Sequence, residues 1–165
     1  MNQDHVDRIL AQWRSVHPEL DCSAMGIIGR IRRVSRLFDE SLKEVFRQHM
    51  LSNIEFDILA TLRRTDAPLT PTALYQTLML SSGAMSTRLE KLVQRGLIER
   101  IASEDDRRSN QVQLTDAGKA QVDAALQDHL SNMAHLLSGL TKEEQEQLAD
   151  LNRKLLLSDA LQATK

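Results

Sequence analysis

The residues best suited to chemistry in this chain are short hydroxyls and arginines gathered in one stretch, Leu69 to Leu114. Ser81, Ser82, Gly83, Ser86 and Thr87 are small or polar, and Arg88 and Lys91 follow directly. Short hydroxyls let a helix approach base edges closely, while an arginine reaches a guanine or a phosphate. Arg107-Arg108 forms a second basic group within the polar run SEDDRRSN, suited to a minor-groove or phosphate contact. Support for catalysis is weak. His5, His17, His49, His129 and His135 are scattered without metal-ligand spacing, no phosphate-cradling glycine loop occurs, and Cys22 has no nearby histidine. No catalytic residue, metal or cofactor is therefore expected.

Positioning these groups requires two helices and a hairpin. Thr70 before Pro71 reads as an N-cap and first helical turn, opening a short helix to Leu78. Ser81 offers the next N-cap, and Ala84, Leu89, Leu92 and Val93 form an apolar stripe. Gly96 stops that helix after Arg95, as a C′ glycine does. Alternation in Ile98–Ala102 and Gln111–Leu114, on either side of the polar tip, reads as a β-hairpin. The order is that of a helix-turn-helix followed by a wing.

The remainder of the chain is helical by its periodicity. Residues 3–16 place Val6, Ile9, Leu10 and Trp13 at helical spacing, and Pro18 ends the segment. A long helix follows from Asp21 or Ser23 to about Gln48, with Met25, Ile28, Ile31, Val34, Phe38, Leu42 and Val45 on one stripe. Arg30, Arg32, Arg33 and Arg36 lie in its first half, a solvated face by default, or partners for C-terminal acids or a site. Ser52 and Glu55 form a capping box for a helix to about Arg64, within which Asp57 is either an exposed edge or faces a polar cavity. Pro68-Leu69-Thr70 can add a strand to the wing. Thr115 caps a helix to about Leu137, and Thr141 with Glu144 caps the last one, to about Leu157, beyond which a frayed tail is expected.

Bulk properties narrow the class. The 165 residues suit one compact domain with helical extensions, and 41% hydrophobic residues supply a core almost without aromatics. The net charge is −2, with −3 in residues 116–165 and +1 in residues 1–115, so a nucleic-acid role rests on where the arginines point. No secretory signal or membrane-spanning run is read, and a single cysteine fits a reducing cytoplasm. The expected class is mainly α with a small β-hairpin wing (α+β). Residues 1–50 and 116–165 are read as dimerisation helices and 51–115 as a winged helix-turn-helix. The outer helices carry more apolar stripe than the winged part covers, so a homodimer on a palindromic double-stranded DNA site is the economical arrangement.

The segments LSSGAMSTRLEKLVQRGLIER and EDDRRSNQVQLTDAG are similar to the pattern of the MarR family of bacterial transcriptional regulators. The start, QWRSVHPELD, with GRIRRVSRLFDESL and EFDILATLRR, resembles more narrowly its PecS-type, urate-responsive branch. The resemblance implies a homodimer that usually represses. It also implies a ligand held by a tryptophan, an aspartate and two arginines, which match Trp13, Asp57, Arg88 and Arg100. From the residues alone Trp13 is an anchor for its helix and Asp57 an exposed edge or a group facing a polar cavity; the resemblance sets a ligand role beside those readings. Two alternatives remain. Some family members sense oxidants through one cysteine, which Cys22 matches in place, although the supporting tyrosines are missing. A winged-helix protein–protein module without a DNA target is the other.

Overall fold

The computed structural model describes residues 3–78, 82–102 and 110–162. Ten elements follow in order: α1 His5–Val16, α2 Ser23–Gln48, α3 Asn53–Thr65, α4 Pro71–Leu78, α5 Ser82–Gln94, β1 Ile98–Ala102, β2 Asn110–Leu114, α6 Asp116–Leu136, α7 Lys142–Leu156 and α8 Asp159–Gln162. The fold is mainly helical with one two-stranded antiparallel sheet, as the periodicity predicts.

Caps set most of the boundaries. Ser52 accepts a hydrogen bond from the Glu55 N–H while the Glu55 carboxylate accepts one from the Ser52 N–H, and Thr141 with Glu144 repeats the arrangement. Thr70 Oγ1 accepts from the Ala73 N–H (3.1 Å) at the start of α4. A further box, Asp4 with Asp7, opens α1 and was not apparent from periodicity. Gly96 lies at φ +68°, the left-handed conformation its place after α5 calls for. From Ser158 to Gln162 the chain differs from the frayed tail expected: Leu161 and Gln162 N–H groups bond the Ser158 carbonyl and close the short helix α8.

The wing pairs Ile98 with Leu114 and Arg100 with Val112. Leu69 joins as a third, one-residue strand, exchanging both backbone hydrogen bonds with Val112 (3.0 and 2.8 Å). The hairpin is thereby fastened to the linker that enters α4.

Ile58, Leu59, Leu74, Leu92 and Val112 are fully buried and centre the core in the winged part. Phe46 from α2 and Val122 and Ala125 from α6 complete it, so the outer helices are rooted in the same core. Phe46 and Phe56 stack with centroids 4.1 Å apart. On α5 the inward stripe is Met85, Leu89 and Leu92, one face at i, i+4, i+7. Met85 is a core residue that the expected stripe omitted. Gly118 is required where α6 crosses the chain after α5: a Cβ there would stand 1.9 Å from the Leu97 carbonyl oxygen.

Much of the long α2 stripe is uncovered in the single chain. Only Gly26 and Phe46 of this helix are buried, while Ile27 is 61% and Ile28 59% exposed.

Candidate nucleic-acid interface and ligand site

Burial of Met85, Leu89 and Leu92 fixes which side of α5 faces outward. Gly83, Ser86, Thr87 and Lys91 are exposed there, and Arg88 is half-buried at the edge. Among the described residues, nothing beyond its own helix backbone and chain neighbours lies within 4 Å of a Cβ built on Gly83, so that position faces open space. Thr87 donates its hydroxyl proton to the Gly83 carbonyl (3.2 Å) and offers lone pairs to the outside. Such a surface admits close approach of a base edge or phosphate. Ser81, Arg107 and Arg108 lie outside the described residues, as does the side chain of Ser82.

The base of α5 is held electrostatically. Glu55 is buried in the first turn of α3, with its carboxylate accepting from the Ser52 N–H (2.8 Å) and hydroxyl (2.9 Å). Burial alone would push this carboxyl up, but the Ser52 hydrogen bonds and the fields of Arg95 and Arg88 hold it below the usual range. Arg95 Nη1 lies 3.9 Å from it. Sequence reasoning found Glu55 only as a cap. Arg88 and Arg95, seven apart and so on one helical face, were the available sign of an acid beneath. Arg100 on β1 pairs with Glu90 on α5 at 3.4 Å, tying wing to helix.

The four ligand candidates stand in different surroundings. Trp13 is 40% exposed, with its ring 6.0 Å from that of His17. Asp57 is exposed at the edge of α3, yet neighbouring bulk desolvates its carboxyl and pushes it up, against the pull of Arg64 and His129. Arg88 stands in the field of Glu55, and Arg100 pairs with Glu90. Among the described residues no hydrogen bond or ion pair joins any two of the four. Of the readings open for the α2 arginines, Arg30 takes neither the solvated default nor C-terminal acids: it binds Asp4 and Asp7 of α1, while Arg36 pairs with Glu40 on its own helix.

Cys22 is half-buried at the N-cap of α2 and makes no side-chain capping bond. It borders a cavity of about 220 Å³ with Leu10, Arg14, Leu20 and Asp21. Among the described residues no cluster of three histidine, cysteine or carboxylate groups could hold a metal, and no helix is long and apolar enough to cross a membrane.

Comparison with known proteins adds the family. The pattern of the MarR family matches residues 51–109, from the start of the winged part into the hairpin tip. The HTH-type transcriptional regulator PecS of Dickeya dadantii (strain 3937) is 41% identical over 148 residues, covering 88% of this chain and 89% of its own. Wild-type MarR from E. coli superposes with a TM-score of 0.68 at 30% identity, covering 78% of this chain and 95% of that one. A mutant MarR complexed with operator DNA gives 0.69 at 26% identity, covering 87% and 97%. These relatives are regulators and not enzymes, and their likeness runs through the outer helices as well as the winged part. The chain thus belongs to the MarR family of transcriptional regulators.

Proposed function

We propose that the protein is a homodimeric repressor of palindromic promoter DNA, released by a small anionic aromatic ligand such as urate. The observation that carries the dimer is the uncovered apolar face of α2. Ile28, Ile31 and Val34 are 59%, 45% and 44% exposed, and the same face borders a cleft of about 480 Å³ that reaches Leu148 of α7. Leu151 and Leu155 of α7 are also open, at 62% and 45%. A second copy placed by a two-fold axis would cover these side chains and set two α5 helices roughly 34 Å apart, one turn of DNA. In this reading residues 1–50 and 116–165 dimerise, 51–115 bind DNA, and the protein works in the cytoplasm.

DNA contact falls to Ser81, Ser82, Gly83, Ser86, Thr87, Arg88 and Lys91 of the reading helix and its start, with Arg107 and Arg108 at the wing tip. Ligand contact falls to Trp13, Asp57, Arg88 and Arg100. An anion near Asp57 repels that carboxylate and draws the two arginines. Arg88 belongs to α5, so a ligand that prefers the drawn arrangement alters how the two reading helices are set. The shift is bounded by its differential affinity for the two shapes.

Fluorescence anisotropy on the protein's own upstream DNA, with urate titrated at fixed moderate salt, tests the reading. Tight, salt-dependent binding released by urate is the expected outcome. Release unchanged in Asp57→Ala would remove Asp57 from the mechanism. Binding indifferent to urate would move the search to other flat anions and to oxidation at Cys22. Binding independent of salt would favour a protein-binding module.

A further inference from the structure

Helix α1 lies along α2 in the opposite direction, Val6 against Gly29 and Leu10 against Gly26. A Cβ at Gly26 would stand 3.1 Å from Leu10 Cδ1, so the two glycines form the notch that lets the helices approach. The apolar grip is slight, since Val6 is the one buried residue of α1. A polar latch supplements it. Arg30 donates from Nε to Asp4 Oδ2 (2.8 Å), and from Nη2 to Asp4 Oδ1 (3.2 Å) and Asp7 Oδ1 (2.7 Å). Its remaining nitrogen, Nη1, donates to the Gly26 carbonyl (3.2 Å).

The two acceptors are ordered before Arg30 reaches them. Asp4 and Asp7 are the N-cap and N3 residues of α1, each taking the other's backbone N–H (2.9 Å). One guanidinium thus closes on a prearranged pair of carboxylates, a forked geometry that an ordinary surface ion pair lacks. We propose that Arg30 is a positioning residue for the ligand response: its fork latches α1 to α2 and so sets where the Trp13 ring stands. The role rests on the assignment of Trp13 to the ligand site. Arg30 itself touches neither ligand nor DNA.

Trp13 is the only tryptophan, so its emission reports the latch directly. The test compares wild type, Arg30→Met, Arg30→Lys and the double variant Asp4→Asn with Asp7→Asn. Asparagine keeps the capping bonds while removing the charges. Each protein is measured as the intact chain for acrylamide quenching of Trp13, for urate affinity, and for DNA affinity without urate. Arg30→Met and the double variant should quench more readily and bind urate about tenfold more weakly, with DNA affinity held within about threefold. Arg30→Lys should recover part of the urate affinity. The double variant separates the latch from any effect of Arg30 on the neighbouring α2–α7 cleft. Unchanged quenching in both would overturn the latch. Changed quenching with unchanged urate affinity would overturn the positioning role and leave a purely structural contact. No urate binding by wild type would reject the ligand assignment and the positioning role with it, while quenching still decides the latch.

Discussion

The Glu55 carboxylate, in the first turn of α3, stands 3.9 Å from the guanidinium of Arg95 at the end of α5. One buried acid therefore completes a helix cap and anchors the end of α5. Glu55→Gln keeps an oxygen to accept the Ser52 hydrogen bonds and removes the charge, whereas Glu55→Ala removes the charge and both bonds that the carboxylate accepts from Ser52. Urea denaturation should show a loss below about 1 kcal/mol for glutamine and about 1–2 kcal/mol for alanine. The folded-state value of Glu55 is lowered, so its contribution is present above the unfolded carboxylate range and is lost as pH falls. Glu55→Gln should accordingly lose less stability than wild type on acidification.

Two helical glycines should respond oppositely to alanine. At Gly118 the added methyl meets the Leu97 carbonyl oxygen 1.9 Å away, which is backbone and cannot swing aside. Gly118→Ala should cost about 2 kcal/mol or more, despite the better helix propensity of alanine. At Gly83 the methyl meets nothing within 4 Å. Gly83→Ala should be stabilising by up to about 1 kcal/mol in thermal unfolding. Weakened operator binding in the same variant would mark Gly83 as a point of close approach.

His129 packs against the edge of the stacked Phe46–Phe56 pair, at 5.2 and 5.3 Å from the two rings, and among the described residues its Nδ1 has no hydrogen-bond partner. Burial pushes the imidazole down, opposed by Asp57, so the unfolded chain binds its proton more readily. Stability should therefore fall as pH drops through about 6.5, the ordinary histidine value. Asp57 has the opposite sign: its raised carboxyl costs stability as pH climbs through the carboxylate range. His129→Gln should flatten the step near neutrality, and Asp57→Asn should raise the neutral-pH plateau. An unchanged pH profile for His129→Gln in chemical denaturation would contradict the assignment.

Met50 adopts φ 54° and is 75% exposed, so it bears left-handed strain without packing in return. Met50→Gly should raise stability by about 0.5–1 kcal/mol, read as a shift of the urea midpoint at constant slope.

The order of elements was legible because each boundary carries its own chemistry: Ser52 with Glu55, Thr70 before Pro71, Gly96, Thr115, and Thr141 with Glu144. Periodicity served less well where two registers compete. On α5, Ala84 and Met85 are adjacent apolar residues that spacing alone does not separate, and the packing of Met85 into the core is what the stripe missed. Long-range pairing was harder still. Arg30 had acids available at both ends of the chain, and the close approach allowed by Gly26 and Gly29 brings it to Asp4 and Asp7. The outward chemistry of α5 was readable because its hydroxyls and Arg88 are contiguous in sequence. The Glu55–Arg95 contact was not, because it joins separate helices through a residue already explained by its cap.

The single hydroxyl of Thr115 accepts from the Gly118 N–H (3.0 Å) and donates to the Gly96 carbonyl (2.7 Å), while the Thr115 N–H bonds Leu97 O (3.2 Å). The turn that follows α5, the residue that follows the wing and the first turn of α6 are thus pinned at one point. With Gly118 pressed against Leu97 beside it, this joint has little slack. It forms a weld: a tilt of α6 would carry α5 along with it, and the winged part would turn as one piece with the helix on which it is mounted.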